Sequence, residues 1–318
     1  MKNLRYVCAQ PRILYYAWQV EVMINNFISK GINPNNIDIV IAYNKEDETS
    51  TQENIMAFNK LASYYNAVRF FFYEDTRKKP WNYISSIRPN VLKQHFKAHP
   101  ELKEDVIFYH DCDIVFSKNP DFSKFLNDNI WYLSDTNSYI NHSYITSKGL
   151  DIYQKMIDIV GIDPLIPKLM NSNSGGAQYI LKNVDETFWE KVENDAEKIY
   201  TEISLMNGEK KLNDPSYHEL QIWCADMWAV LWNGWYFGHE TKVVPELNFT
   251  WATDKNEDFY NKTIYHNAGA TCGCERQFYK ANYINILPYG VENNFSPARA
   301  SYNYFLEIEK TSKISCLL

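Results

Sequence analysis

The stretch Ile37–Tyr43, IDIVIAY, constrains the fold more than any other. It is a near-continuous apolar run rich in β-branched residues, the pattern of a strand buried on both faces. A strand of that kind needs helices on both sides of its sheet, and the flanking chain supplies them at the right spacing. Leu4–Cys8 reads as a strand and Ala17–Gly31 as a helix, with a glycine suited to its C-cap. After the polar loop NKEDETSTQ come an amphipathic segment, Glu53–Tyr65, and a strand, Val68–Glu74. A helix beginning near Pro89 follows, since proline suits a first turn. Then come the apolar stretch Asp105–Phe116 and a strand, Ile130–Ser134. This alternation predicts an α/β class with a mostly parallel central sheet flanked by helices. Ligands of such sheets sit at the carboxyl ends of the strands, which places the loops after Cys8, Tyr43, Tyr73 and Tyr109 near one another.

The second half is less regular. Asp151–Val160 and Glu186–Ile203 read as helices, and His218–Trp235 as a buried helix, apolar on most faces. Val243–Thr253 and Thr263–His266 read as strands and Ser301–Lys310 as a closing helix. No internal repeat or linker interrupts the chain, so the 318 residues read as one domain. Residues 1–135 form its nucleotide-binding half and 136–318 complete a cleft and bind the acceptor.

Composition narrows the function. A net charge of −7 disfavours a polyanion partner, and the one short basic run, Arg77–Lys79, reads as a solvated turn. Six scattered cysteines do not make the framework of a small secreted domain. No apolar segment approaches a membrane span, and a cytoplasmic location is expected. The 24 tyrosines and 9 tryptophans serve a core but can also stack on sugars or bases.

The chemistry centres on FYHDCDIVF, Phe108–Phe116. Asp111 and Asp113 fall at or just past the end of an apolar strand. Two carboxylates on one side of a chain repel each other, and desolvation adds to the cost. A hard divalent cation, Mn²⁺ or Mg²⁺, relieves both, and it commonly bridges one or two carboxylates to substrate phosphates. The ordinary alternative is a solvated or capping Asp-x-Asp. His266, in IYHNAGA, offers a third ligand, and Gly269 lets backbone approach a phosphate. In NSNSGGAQY, Gly175 and Gly176 permit close approach to a ligand, and Asn173 and Gln178 can bond sugar hydroxyls. A turn into a strand explains those glycines equally well. Glu219 and Asp226, seven apart, share one face of the 218–235 helix. Arg88 and Lys93 are candidate partners of a donor phosphate or of the two aspartates.

In order of elements the chain resembles the GT-A fold glycosyltransferases. The likeness is carried by the apolar strand ending in Asp111-Cys112-Asp113, the glycine segment near 175, the acid-bearing helix near 226 and the late His266. SGGAQY and ADMWAVLW are similar to the hydroxyproline arabinosyltransferase and peptidyl-serine galactosyltransferase group. The resemblance implies a GT-A-like domain with a Rossmann-like N-terminal half. It implies transfer of a hexose or pentose from a nucleoside-diphosphate sugar, a UDP-sugar being favoured, to a hydroxyl of a glycan, protein or small molecule. It places Asp111, Asp113 and His266 at the metal, and Ala9, Gln10 and Tyr43 at the nucleoside. Arg88, Gly175, Gly176 and Gly269 line the donor, and Asp226 and Gln178 are the catalytic candidates. Arg276 or Lys280 would grip the diphosphate. Rival readings are a non-catalytic nucleotide-sugar-binding protein, a zinc site at Cys272 and Cys274, and an acceptor that is a hydroxymethylated DNA base.

Overall fold

The computed structural model describes residues 3–78, 80–270 and 276–318. Among them run ten strands: β1 (Leu4–Pro11), β2 (Ile37–Tyr43), β3 (Arg69–Glu74), β4 (Val106–Tyr109), β5 (Ile114–Phe116), β6 (Trp131–Leu133), β7 (Tyr179–Lys182), β8 (Thr241–Val243), β9 (Phe249–Trp251) and β10 (Ile264–His266). The fold is α/β, as the sequence predicts. The chain forms two compact units from interleaved segments.

The first unit holds Asn3–Glu74, His110–Lys124 and Glu246–Leu318. Its strands β1, β2 and β3 pair in parallel, β2 in the middle. Every residue of β2 but Tyr43 is buried, as the apolar run requires. Its one charge, Asp38, stands beside Arg69 on β3 and takes a bidentate pair from it, 2.7 and 2.6 Å, which offsets the desolvation. Helices Leu14–Ser29, Gln52–Tyr64 and Ser301–Ser312 belong to this unit. The Leu14–Ser29 helix ends where Gly31 takes φ +85°, as its glycine forecast. A second small sheet pairs β10 antiparallel to β5 and parallel to β9.

The second unit holds Asp75–Tyr109 and Phe125–Pro245. Strand β7 runs antiparallel to both β4 and β6, and β6 parallel to β8. Helices Ile87–Ala98, Leu150–Val160, Glu186–Asn213 and Ala225–Tyr236 accompany them.

Three sequence readings change. The helix from Glu186 continues ten residues beyond Ile203, to Asn213. The expected strand 243–253 is split into β8 and β9 by the turn at Pro245–Leu247, since proline cannot supply a ladder N–H. The buried helix starts at Ala225, not near His218. Leu220 has both backbone groups bonded to the Asn207 side chain, N–H to Oδ1 at 3.2 Å and C=O from Nδ2 at 3.0 Å, so neither is left for a helix ladder. Glu219 therefore lies in an exposed loop and does not share a helix face with Asp226.

Candidate metal centre

Strand β4 ends at Tyr109, and the chain turns through Asp111–Asp113 before β5 begins. The turn sorts its side chains. Cys112 drops into the core near Cys8, where burial pushes its thiol pKa up, and Asp111 remains partly exposed. The aspartates thus sit in a turn rather than on extended chain. The register of β10 does the rest: His266 stands opposite Ile114, the residue after Asp113. The Asn267 N–H donates to the Asp113 carbonyl at 3.0 Å and locks that register.

The outcome is a tight cluster within the first unit. His266 Nε2 lies 3.4 Å from Asp111 Oδ2 and 3.2 Å from Asp113 Oδ1. One ligand atom from each of the three falls within 4.8 Å of the others. Lys280 donates to Asp113 Oδ2. Aromatic contacts fix the chain on either side of it. Phe278 stacks on Tyr283 at 5.2 Å, and Trp18 meets the edge of Phe278 and donates its indole N–H to the Tyr283 carbonyl at 3.1 Å.

Electrostatics follow from this geometry. Burial would raise the Asp113 pKa, but Lys280 and His266 outweigh it and hold the carboxyl well below its usual range. Burial would lower the His266 pKa, but Asp113 and Asp111 lift it to about 9. Burial likewise opposes the Lys280 charge, and Asp113 with Tyr15 holds it above the ordinary lysine value. Two oxygens and one nitrogen at this spacing suit a divalent cation, which would take the place of the imidazole proton.

The remaining expected residues are distributed as follows. Ala9 is buried on β1. Gln10 is buried and donates to the Val40 carbonyl at 3.4 Å. Tyr43 carries the Arg12 guanidinium over its ring at 4.7 Å. Gly269 has φ +86°, and a Cβ there would lie 3.0 Å from the Trp251 ring.

In the second unit Gly175 and Gly176 form the turn into β7. A Cβ on Gly175 would lie 2.3 Å from the Ser134 carbonyl oxygen. Gln178 is buried and accepts the Ser134 hydroxyl at 2.7 Å. Arg88 pairs with Asp226 at 2.7 Å and Lys93 with Glu193 at 2.6 Å. Tyr83, 2.6 Å from Asp226 Oδ1, was not legible in the sequence, nor were Tyr15, Arg12 and Asn267. Lys280 was visible only as one of two alternatives, and Arg276 instead donates to the Asn294 carbonyl at 2.6 Å. Lys79, Cys272 and Cys274 lie outside the described residues. Among the described residues no helix is long and apolar enough to cross a membrane.

No family model matches the sequence, and no curated protein does. Similar solved structures include the apo form of the bifunctional glycosyltransferase WbbM, with 11% identity and TM-score 0.48, over 97% of this chain and 50% of that one. The chain thus spans about half the length of that protein. Another is the mannosyltransferase PcManGT from Pyrobaculum calidifontis in complex with GDP-Man and Mn²⁺, with 10% identity and TM-score 0.31, over 74% of this chain and 71% of that one. A third is apo mouse xyloside xylosyltransferase 1, with 8% identity and TM-score 0.39, over 85% of this chain and 98% of that one. All three of these similar structures are glycosyltransferases.

Proposed function

We propose that the chain is a divalent-metal-dependent glycosyltransferase that moves a sugar from a nucleoside-diphosphate sugar to a hydroxyl acceptor, with a UDP-sugar as the favoured donor. One observation carries this reading: Asp111, Asp113 and His266 converge on a single point, and Lys280 takes the other oxygen of Asp113. Mn²⁺ or Mg²⁺ bound there supplies a positive charge that stabilises a departing diphosphate. Lys280 adds a fixed cation beside the same oxygens, and Asp113 aims it. Ala9, Gln10 and Tyr43 are proposed for the nucleoside, and the Gly269 backbone for the diphosphate.

Asp226 is proposed as the carboxylate that takes the acceptor proton or orients the acceptor. Arg88 and Tyr83 hold it in place. Gln178, fastened to Ser134, acts in this reading by fixing the Gly175–Gly176 turn. The test is a thermal-shift screen of UDP-, GDP- and CDP-sugars with and without Mn²⁺, since stabilisation grows with ligand concentration over its dissociation constant. One donor should raise the Tm only with metal, and Asp113→Asn should abolish the shift. A shift that persists undiminished in EDTA without turnover would make the chain a nucleotide-sugar-binding protein instead.

A further inference from the structure

The second unit presents a tryptophan to solvent beside its one candidate catalytic carboxylate. Trp223 is 55% exposed, three residues before Asp226. Its indole lies 5.9 Å from the Tyr139 ring, at 32°. The backbone beneath it is fixed. The Tyr83 hydroxyl is 2.7 Å from the Trp223 carbonyl oxygen and 2.6 Å from Asp226 Oδ1, and it accepts the Asp226 N–H at 3.3 Å. Tyr83 is itself buried, with its ring stacked on Tyr200 at 4.7 Å. Arg88 Nη2 holds the second oxygen of Asp226 at 2.7 Å.

An exposed aromatic ring alone is ordinary. Here one buried phenol bonds both the backbone that carries an exposed indole and the carboxylate of a carboxylate–guanidinium pair three residues on. That combines a flat apolar face with directed polar groups whose geometry is fixed before any ligand arrives. A pyranose ring has the matching chemistry: an apolar C–H face to lie on the indole, and edge hydroxyls that donate to a carboxylate and accept from a guanidinium. A phosphorylated or strongly acidic ligand would meet the Asp226 charge.

We propose that Trp223 and Tyr139 form the stacking platform of a carbohydrate subsite, with Asp226 and Arg88 taking ring hydroxyls. The acceptor is then a glycoside or oligosaccharide. The word acceptor rests on the transferase reading, but binding of the sugar requires neither donor nor metal.

Saturation-transfer NMR tests it, using the full chain in EDTA with methyl α-mannoside, methyl β-glucoside, methyl β-galactoside and methyl β-N-acetylglucosaminide. At least one should receive saturation on its ring C–H protons and quench tryptophan fluorescence on titration. Trp223→Ala should weaken it about tenfold, and Trp223→Phe should retain most of the affinity. Leu169→Ser, a change at an exposed apolar position on the same unit, should leave it unchanged. No binding by any of the four, or equal binding by Trp223→Ala, overturns the proposal. The two readings fail separately. A metal-dependent nucleotide-sugar shift without glycoside binding sinks only the platform, and glycoside binding without that shift sinks only the transferase.

Discussion

Lys280 and Asp113 stand 167 positions apart in the chain, and their side chains form an ion pair. The pair leaves Asp113 Oδ1 facing His266 Nε2 at 3.2 Å. A lysine at this point competes with any cation for the carboxylate yet attracts a diphosphate. Lys280→Met should therefore tighten Mn²⁺ binding in the absence of nucleotide and weaken binding of the nucleoside diphosphate by about tenfold or more, the scale of one charge-assisted bond. Calorimetry with Mn²⁺ alone and then with UDP, GDP and CDP reads both arms. If Lys280→Met shifts both affinities in the same direction, the assigned role is wrong. Asp113→Asn removes a ligand outright and should lower Mn²⁺ affinity by more than the roughly ten- to hundredfold that losing an outer-shell partner costs.

His266 predicts a pH dependence in metal-free protein. Its folded pKa of about 9 lies above the unfolded value near 6.5. A raised folded pKa contributes stability that is complete below about pH 6.5 and disappears as pH rises through about 9. The urea midpoint in EDTA should accordingly fall between pH 7 and 9. His266→Gln should flatten the profile over that window and start from a lower midpoint at pH 6. An unaltered slope in the variant would assign the titration to another group.

The sequence shows most of what is local and little of what is lateral. Ile37–Tyr43 is a strand with the expected limits because seven apolar-rich residues can only be buried on both faces. The end of the strand before Asp111 was visible because charge follows VIFY abruptly, but the turn that carries Asp111–Asp113 was not. His266 was visible as a ligand type, but its approach to Asp113 depends on the β10–β5 register, which no local pattern encodes. Tyr83 could not be read at all. Its role comes from reaching Asp226 143 positions away, and a tyrosine in a tyrosine-rich chain carries no mark of such a partner. Asn207 was invisible for the same reason, and without it the helix start at Ala225 could not be placed.

Two glycines should respond in opposite ways to alanine. A methyl on Gly175 would lie 2.3 Å from the Ser134 backbone oxygen and 2.9 Å from Leu133 Cβ, so the β6–β7 edge must move. Gly175→Ala should destabilise by roughly 1–3 kcal/mol or more. Gly208 sits inside the Glu186–Asn213 helix, and a methyl added there would meet nothing within 4 Å, so Gly208→Ala should stabilise by about 0.5–1 kcal/mol. Chemical denaturation of the two variants checks both. A stabilising Gly175→Ala would show that the turn is not as close as described.

Asp226 is held by two side chains with different chemistry, and the difference separates its possible duties. Asp226→Asn keeps one oxygen, enough for Arg88 or Tyr83 but not both, and loses the charge and the proton affinity. If Asp226 takes the acceptor proton, kcat should fall by about 10² to 10⁴ with donor KM unchanged. If it only orients the acceptor, acceptor KM should rise while kcat is largely kept. Tyr83→Phe removes a hydroxyl within 2.7 Å of two oxygens, but leaves the carboxylate charged and bonded to Arg88. It should therefore loosen acceptor binding without the large loss in kcat. Arg88→Met leaves a mostly buried carboxylate with one partner fewer, which should destabilise the second unit by roughly 1–3 kcal/mol. Steady-state kinetics on the three variants, with donor and acceptor varied separately, distinguish these cases. Wild-type kinetics from Asp226→Asn would remove this carboxylate from the reaction altogether.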